Sequence, residues 1–282
     1  MHTLSKIRDY FHGGFFSAAN GVLLLCGACL FACQLWGDEL PHTVARVKPA
    51  IVGIATFKKI RNPPINFMAT GFAVGDGLNV ITNAHVIPEE TDIENKESLG
   101  IIIGKGEATE FRTAVLVAID KEHDLALLKI SGVPLPVMEL GDSDTVQEGQ
   151  SLAFTGFPIG MVLGFHPVTH RGMISSITPV VMPALNAAKL SVRVITQLQK
   201  SAFSVFQLDG TAYPGNSGSP LYDPETGAVY GVINMVFVKG LKEAALSQPS
   251  GITYAIPSKY VRELLQRTQP SEKNRQDQLL GP

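Results

Sequence analysis

A serine hydroxyl is a poor nucleophile near neutral pH unless an imidazole takes its proton and a carboxylate fixes the tautomer of that imidazole. One stretch offers such a hydroxyl: Tyr213-Pro214-Gly215-Asn216-Ser217-Gly218-Ser219-Pro220-Leu221, a small-residue turn running into an apolar strand. Gly215 and Gly218 flank the Asn216-Ser217 pair and open backbone conformations closed to residues with a Cβ. The amides of Gly215 and Ser217 can then converge on the point where an oxyanion would sit. By itself this stretch is equally an ordinary glycine-rich turn. Its force comes from residues 80–87, which hold His85, and residues 122–129, which hold Asp124. Together they supply the base and the orienting carboxylate.

The order His85, Asp124, Ser217 is that of chymotrypsin-like proteases, and no Gly-x-Ser-x-Gly elbow surrounds the serine. Thr82-Asn83-Ala84-His85-Val86, Asp124-Leu125-Ala126-Leu127-Leu128 and Gly215-Asn216-Ser217-Gly218-Ser219-Pro220-Leu221 resemble the three signature segments of the trypsin-like HtrA/Deg serine proteases. Residues 47–54, 206–211 and 251–257 resemble that family's first strand, its approach to the serine and its closing strand, so the likeness spans roughly residues 41–267.

The resemblance implies an all-β fold: two six-stranded Greek-key barrels of the chymotrypsin type with a C-terminal helix. His85 and Asp124 would come from the first barrel and Ser217 from the second, with the site in the cleft between them. It further implies a serine endopeptidase with an oxyanion hole at Gly215, Asn216 and Ser217, needing neither metal nor organic cofactor. Its substrates would be unfolded proteins or peptides, and a homo-trimer would form near the start of the protease domain. Asn234-Met235-Val236 would pair with an extended peptide through main-chain hydrogen bonds. Six residues before the serine, where trypsin-like enzymes place Asp, stands Thr211; where glutamate-specific relatives place His, stands Ile233. An apolar first pocket and cleavage after small or medium aliphatic residues are expected. A catalytically silent binder of peptides on the same fold is the alternative the residues leave open, since a triad does not prove a formed oxyanion hole. An esterase is a third reading.

With 282 residues, 45% of them hydrophobic, and a formal net charge of −2, the chain has ample material for a real core and no basic run that would suit a nucleic acid. The acidic cluster Glu89, Glu90, Asp92, Glu94, Glu97 reads as a solvated loop.

Residues 10–37 carry no Asp, Glu, Lys or Arg and follow Lys6 and Arg8, which reads as an export signal. Counted over 15–36 the apolar stretch could cross a bilayer and associate the chain with a membrane; counted over 22–35 it has signal-peptide length. Residues 1–40 are thus a signal peptide or anchor, and the expected location is the periplasm or envelope of a bacterium. Cys26, Cys29 and Cys33 all lie in that stretch, so the remainder has no disulfide. HtrA proteins usually carry PDZ domains after the protease; here the residues beyond 267 are too few for one, and 268–282 reads as a loose polar tail.

Short β-branched runs bounded by turn signals predict strands at 51–57, 71–74, 80–82, 111–119, 125–130, 151–155, 172–177, 219–222, 228–238 and 252–256. Turn clusters at 139–150 suit a boundary between the barrels, and 257–266 reads as a helix with Tyr260, Val261, Leu264 and Leu265 at helical spacing. Local preferences conflict over 178–204, which reads as a surface excursion or a substrate-contacting loop. His123 adjoins Asp124, but neighbours on a strand face opposite ways, so one of the two points at His85, and the motif favours Asp124. His166 and His170 read as exposed loop histidines, and neither lies in a ligand-spaced cluster.

Overall fold

The computed structural model describes residues 39–88, 97–105, 108–158, 164–180, 203–235 and 252–268. The leader with its three cysteines, most of the 178–204 excursion, Val236 and the tail beyond 268 lie outside the described residues.

Twelve strands are described: β1 Ile51–Phe57, β2 Ile65–Val74, β3 Asn79–Thr82, β4 Ser98–Lys105, β5 Ala108–Asp120, β6 Leu125–Ile130, β7 Ser151–Gly156, β8 Val168–Val180, β9 Phe203–Asp209, β10 Pro220–Tyr222, β11 Val229–Asn234 and β12 Ile252–Pro257. They close into two antiparallel barrels, ordered β1-β2-β3-β6-β5-β4 and β7-β8-β9-β12-β11-β10, so the second repeats the strand order of the first. Closure removes the free sheet edges that a short-stranded protein would otherwise expose. Val52, Ile54, Val80, Ile101 and Leu128 fill the first barrel, and Leu152, Phe154, Phe206, Leu208, Leu221 and Ile233 the second. Each such side chain, fully buried, contributes about 1.5–3 kcal/mol of transfer free energy.

Ten strands fall on runs read from the sequence; β4 and β9 do not. Gly100 and Gly104 bracket the three isoleucines of β4 and leave only a short apolar run between them. Gly100 is there because a Cβ on it would collide with the Arg112 carbonyl and the Phe111 ring of β5. β9 follows directly on the stretch whose local preferences conflict. Residues 47–50, likened to the start of the first strand, instead end helix α1 (Leu40–Val47) and form a 3-10 turn, with Thr43 and Val47 buried one turn apart on the helix. Thr43 and Arg46 bond the carbonyls of Glu225 and Thr226 at 2.9 and 2.6 Å, tying α1 to the β10–β11 turn.

The C-terminal helix α2 (Ser258–Thr268) buries Val261 and Leu264, as the spacing predicts. Ser258 Oγ and the Arg262 guanidinium donate to the Gly141 carbonyl at 2.7 and 2.9 Å, and the Lys259 amide donates to Ser143 Oγ at 3.1 Å. The helix thereby fastens the segment that joins the barrels.

Candidate active site

His85 lies on a single 3-10 turn, Ala84–Val86, just past β3. Asp124 closes the turn 121–124 between β5 and β6. Among the described residues it is the one non-glycine with positive φ, at 52°. The Asp124 carbonyl accepts from Asn83 Nδ2 at 3.0 Å and from the Ala84 amide at 3.1 Å, locking the two turns together. Its side chain is 4% exposed, against 23% for His85.

A carboxylate that deep must be satisfied. Oδ1 accepts the His85 amide at 2.8 Å, and Oδ2 accepts His85 Nδ1 at 2.6 Å and Asn234 Nδ2 at 2.7 Å. With its Nδ1 proton directed at Asp124, the neutral imidazole presents a lone pair on Nε2. That atom lies 3.2 Å from Ser217 Oγ. The three side chains therefore form a continuous relay across the two barrels.

Ser217 sits in the turn before β10, with Gly215 at φ 101° and Gly218 at φ 83°. Both are left-handed values that favour glycine. A Cβ on Gly218 would also strike the Thr70 carbonyl and Thr82 Oγ1. Thr70, on β2, reaches across from the first barrel: its Oγ1 donates to the Gly215 carbonyl at 2.7 Å and its amide to the Ser217 carbonyl at 2.9 Å. The Asn216, Gly218 and Ser219 amides bond the Tyr213, Ile233 and Asn216 carbonyls. None of these bonds uses the Gly215 or Ser217 amide. Asn216 contributes differently, since its amide is engaged and its fully buried side chain has no hydrogen-bond partner.

The residues expected to meet substrate are dispersed. Ile233 is fully buried in the core of the second barrel, with Met235 packed against that core. Asn234 ends β11 and turns its side chain to Asp124. Thr211 is half-buried in the segment between β9 and the Ser217 turn, where Thr253 Oγ1 accepts the Ala212 amide and donates to the Gly210 carbonyl. Sequence reasoning missed Thr70, Asn83 and the side-chain role of Asn234, which are polar residues inside strand-like runs with no spacing to flag them.

His123 faces away from the relay, though not through strand alternation: it belongs to the 121–124 turn and pairs with Asp120, Nδ1 to Oδ2 at 2.9 Å. His166 is exposed, as read, but His170 is not a loop residue. It lies on β8, stacked on Phe154 with centroids 4.9 Å apart, its Nε2 buried without a partner. Burial pushes its pKa below the ordinary value. Among the described residues no cluster of His, Cys, Asp and Glu could hold a metal ion, and no helix is long and apolar enough to cross a membrane.

Paired six-stranded barrels of repeated strand order define the chymotrypsin-like fold. Residues 69–232 match the trypsin-like peptidase domain family, and the chain belongs to that family. It is 29% identical over 191 residues to a probable periplasmic serine endoprotease DegP-like of Halomonas elongata, covering 67% of this chain and 32% of the relative. It is 28% identical over 238 residues to serine protease HTRA3 of Homo sapiens, covering 83% of this chain and 46% of the relative. The chain thus spans between about a third and half the length of these curated relatives. Among solved structures it is similar to the HtrA-type protease AlgW with decapeptide, with a TM-score of 0.60 at 24% identity over 81% of this chain and 67% of that one. A serine endoprotease from Yersinia pestis gives a TM-score of 0.56 at 22% identity over 81% of this chain and 66% of that one. These likenesses show the fold.

Proposed function

We propose that the chain is a serine endopeptidase of HtrA type, with a protease domain over residues 41–267. The observation that carries this reading is the relay from Asp124 through His85 to Ser217, with contacts of 2.6 and 3.2 Å. Ser217 Oγ attacks the carbonyl carbon of a peptide bond while His85 Nε2 takes the hydroxyl proton. Asp124 holds the tautomer and stabilises the imidazolium. The tetrahedral oxyanion receives the amides of Gly215 and Ser217, each such donor contributing about 10²–10³-fold in kcat. His85 then gives its proton to the leaving amine, and water releases the acyl group by the same steps in reverse.

The substrate is an extended segment of an unfolded protein, paired with the end of β11 and the residues after it, at Asn234, Met235 and Val236. Thr211 and Ile233, both uncharged, support an apolar first pocket that prefers small or medium aliphatic residues. Residues 1–40 carry the enzyme into the periplasm or envelope, in keeping with the periplasmic relatives, and 15–36 supply any membrane association.

The test is reaction of residues 38–282 with a fluorophosphonate probe beside Ser217→Ala, with casein digestion in parallel. Labelling that vanishes in the variant, with casein cleaved, supports the reading. No labelling of a folded sample would favour a silent peptide binder. A peptide library cleaved mainly after Arg, Lys or Glu would overturn the apolar pocket.

A further inference from the structure

A second His–Asp pair lies directly behind the triad carboxylate and takes no part in the relay. Asp120, at the end of β5, is buried, as is His123. Asp120 Oδ1 accepts the amides of Glu122 and His123, both at 3.1 Å. Its Oδ2 accepts His123 Nδ1 at 2.9 Å and lies 3.2 Å from the Arg267 guanidinium. Four donors thus converge on one carboxylate and close the turn that ends at Asp124. An aspartate held at positive φ is unfavourable by about 1–3 kcal/mol, so it persists where its surroundings over-determine it.

The other side of His123 belongs to the C-terminal helix. Its ring stacks on Tyr260 with centroids 4.0 Å apart and planes 16° from parallel, and it meets Phe203 of β9 edge-on at 4.8 Å. Tyr260 lies in the first turn of α2 and Arg267 in the last. The helix therefore touches the Asp124 turn from both its ends: a flat face against the imidazole and a cation on the carboxylate. Arg267 is steadied in turn by Glu263 at 3.5 Å.

We infer that Asp120 and His123 are positioning residues, and that α2, through Tyr260 and Arg267, sets the alignment of Asp124 against His85. The inference rests on the protease reading for its kinetic consequence but not for its geometry. Without the His123 link, the turn can relax away from φ 52° and swing the Asp124 carboxylate off Nδ1. A misplacement of about 1 Å in such a relay costs on the order of 10²-fold in rate.

The test compares His123→Ala and His123→Asn, the latter restoring an N–H donor near the Nδ1 position, in a chain of residues 38–282. Two readouts are taken: peptidase kcat and KM, and the far-downfield proton resonance of His85 Nδ1, assigned by its absence in Asp124→Asn. We expect His123→Ala to lower kcat about ten- to hundredfold with KM within about twofold, to broaden or remove the resonance, and to be largely rescued by Asn. A lower melting temperature with kcat and the resonance unchanged would overturn the inference, leaving the pair a stabilising contact alone. Should His123→Ala not fold, Arg267→Gln, an exposed side chain on the helix, takes its place. A kcat lowered about two- to fivefold with a weakened resonance supports the clamp, and an unaltered pair of readouts refutes it. The resonance requires no turnover, so an unlabelled wild type would sink the protease reading while the geometry of the turn is still decided.

Discussion

The Thr70 hydroxyl donates to the Gly215 carbonyl at 2.7 Å, joining the wall of one barrel to the nucleophile turn of the other. The same oxygen accepts the Phe157 amide at 3.0 Å, and the Thr70 backbone bonds the Ser217 carbonyl and Thr82 Oγ1. One threonine thus fixes the plane of a peptide on which the proposed oxyanion hole depends. Thr70→Val keeps the shape and orphans the buried Phe157 amide, at a cost of about 1–3 kcal/mol, and the half-buried Gly215 carbonyl, at a smaller one. Urea unfolding should register that loss, and fluorophosphonate labelling should slow by about two orders of magnitude. A normal labelling rate would show that the turn holds its geometry unaided.

Asn234→Ala removes one of three donors to the Asp124 carboxylate. Hydrogen bonds to charged groups contribute about 1.5–3 kcal/mol, and here the charge matters most when His85 becomes a cation. The expected result is a kcat lowered about tenfold or more with KM little altered. A raised KM with kcat intact would instead place the Asn234 side chain on substrate.

Gly218→Ala meets two obstacles at once: φ 83° and the Thr70 carbonyl in the path of the new methyl. The turn must move or the barrels must part. Measured by thermal melting and labelling, the variant should lose about 2–4 kcal/mol and essentially all reactivity. A mild phenotype would mean that the two barrels are free to separate at that point.

His170 is held below the ordinary histidine value of 6.5 by burial, so the folded chain binds fewer protons there than the unfolded chain in mild acid. Its neutral burial is fully compatible with folding above that value, and stability declines as pH falls through it. His170→Phe keeps a ring on Phe154 and removes the charge. The free energy of unfolding should fall less between pH 7.5 and 5.5 in the variant than in the wild type. Equal losses would show that the imidazole charges without leaving its place.

Asp120 has a dependence of the same direction at lower pH. Burial alone would raise its pKa, but the hydrogen bonds and charges of His123 and Arg267 outweigh that and hold it below the ordinary carboxylate value. Its contribution is present above the unfolded value and is lost as pH falls through the folded one. Asp120→Asn should therefore flatten the acid limb of a stability profile below about pH 4. An unchanged limb would assign acid unfolding to other carboxylates.

Motif spacing located the relay because chemistry restricts which residues can serve: His85, Asp124 and Ser217 stand in fixed order with small-residue neighbours. Strand runs were legible where β-branched residues alternate or cluster, as in β1 and β3. β4 was hidden because Gly100 answers to the Phe111 ring and the Arg112 carbonyl, a contact between strands that no local pattern records. Alternation separated His123 from Asp124 by the wrong route, since a turn closed on Asp120 directs them apart, while the motif picked Asp124. Thr70 and the partners of Asn83 and Asn234 were missed for a related reason. Each bonds a group between 41 and 145 residues distant, which no local pattern records.

The relay is divided between two barrels, so its widest gap, the 3.2 Å between His85 Nε2 and Ser217 Oγ, is also a gauge of how tightly they dock. On the protease reading, parting the barrels by about 1 Å would break that contact without touching the serine itself. For this chain, control of reactivity and control of mechanical fit are one quantity.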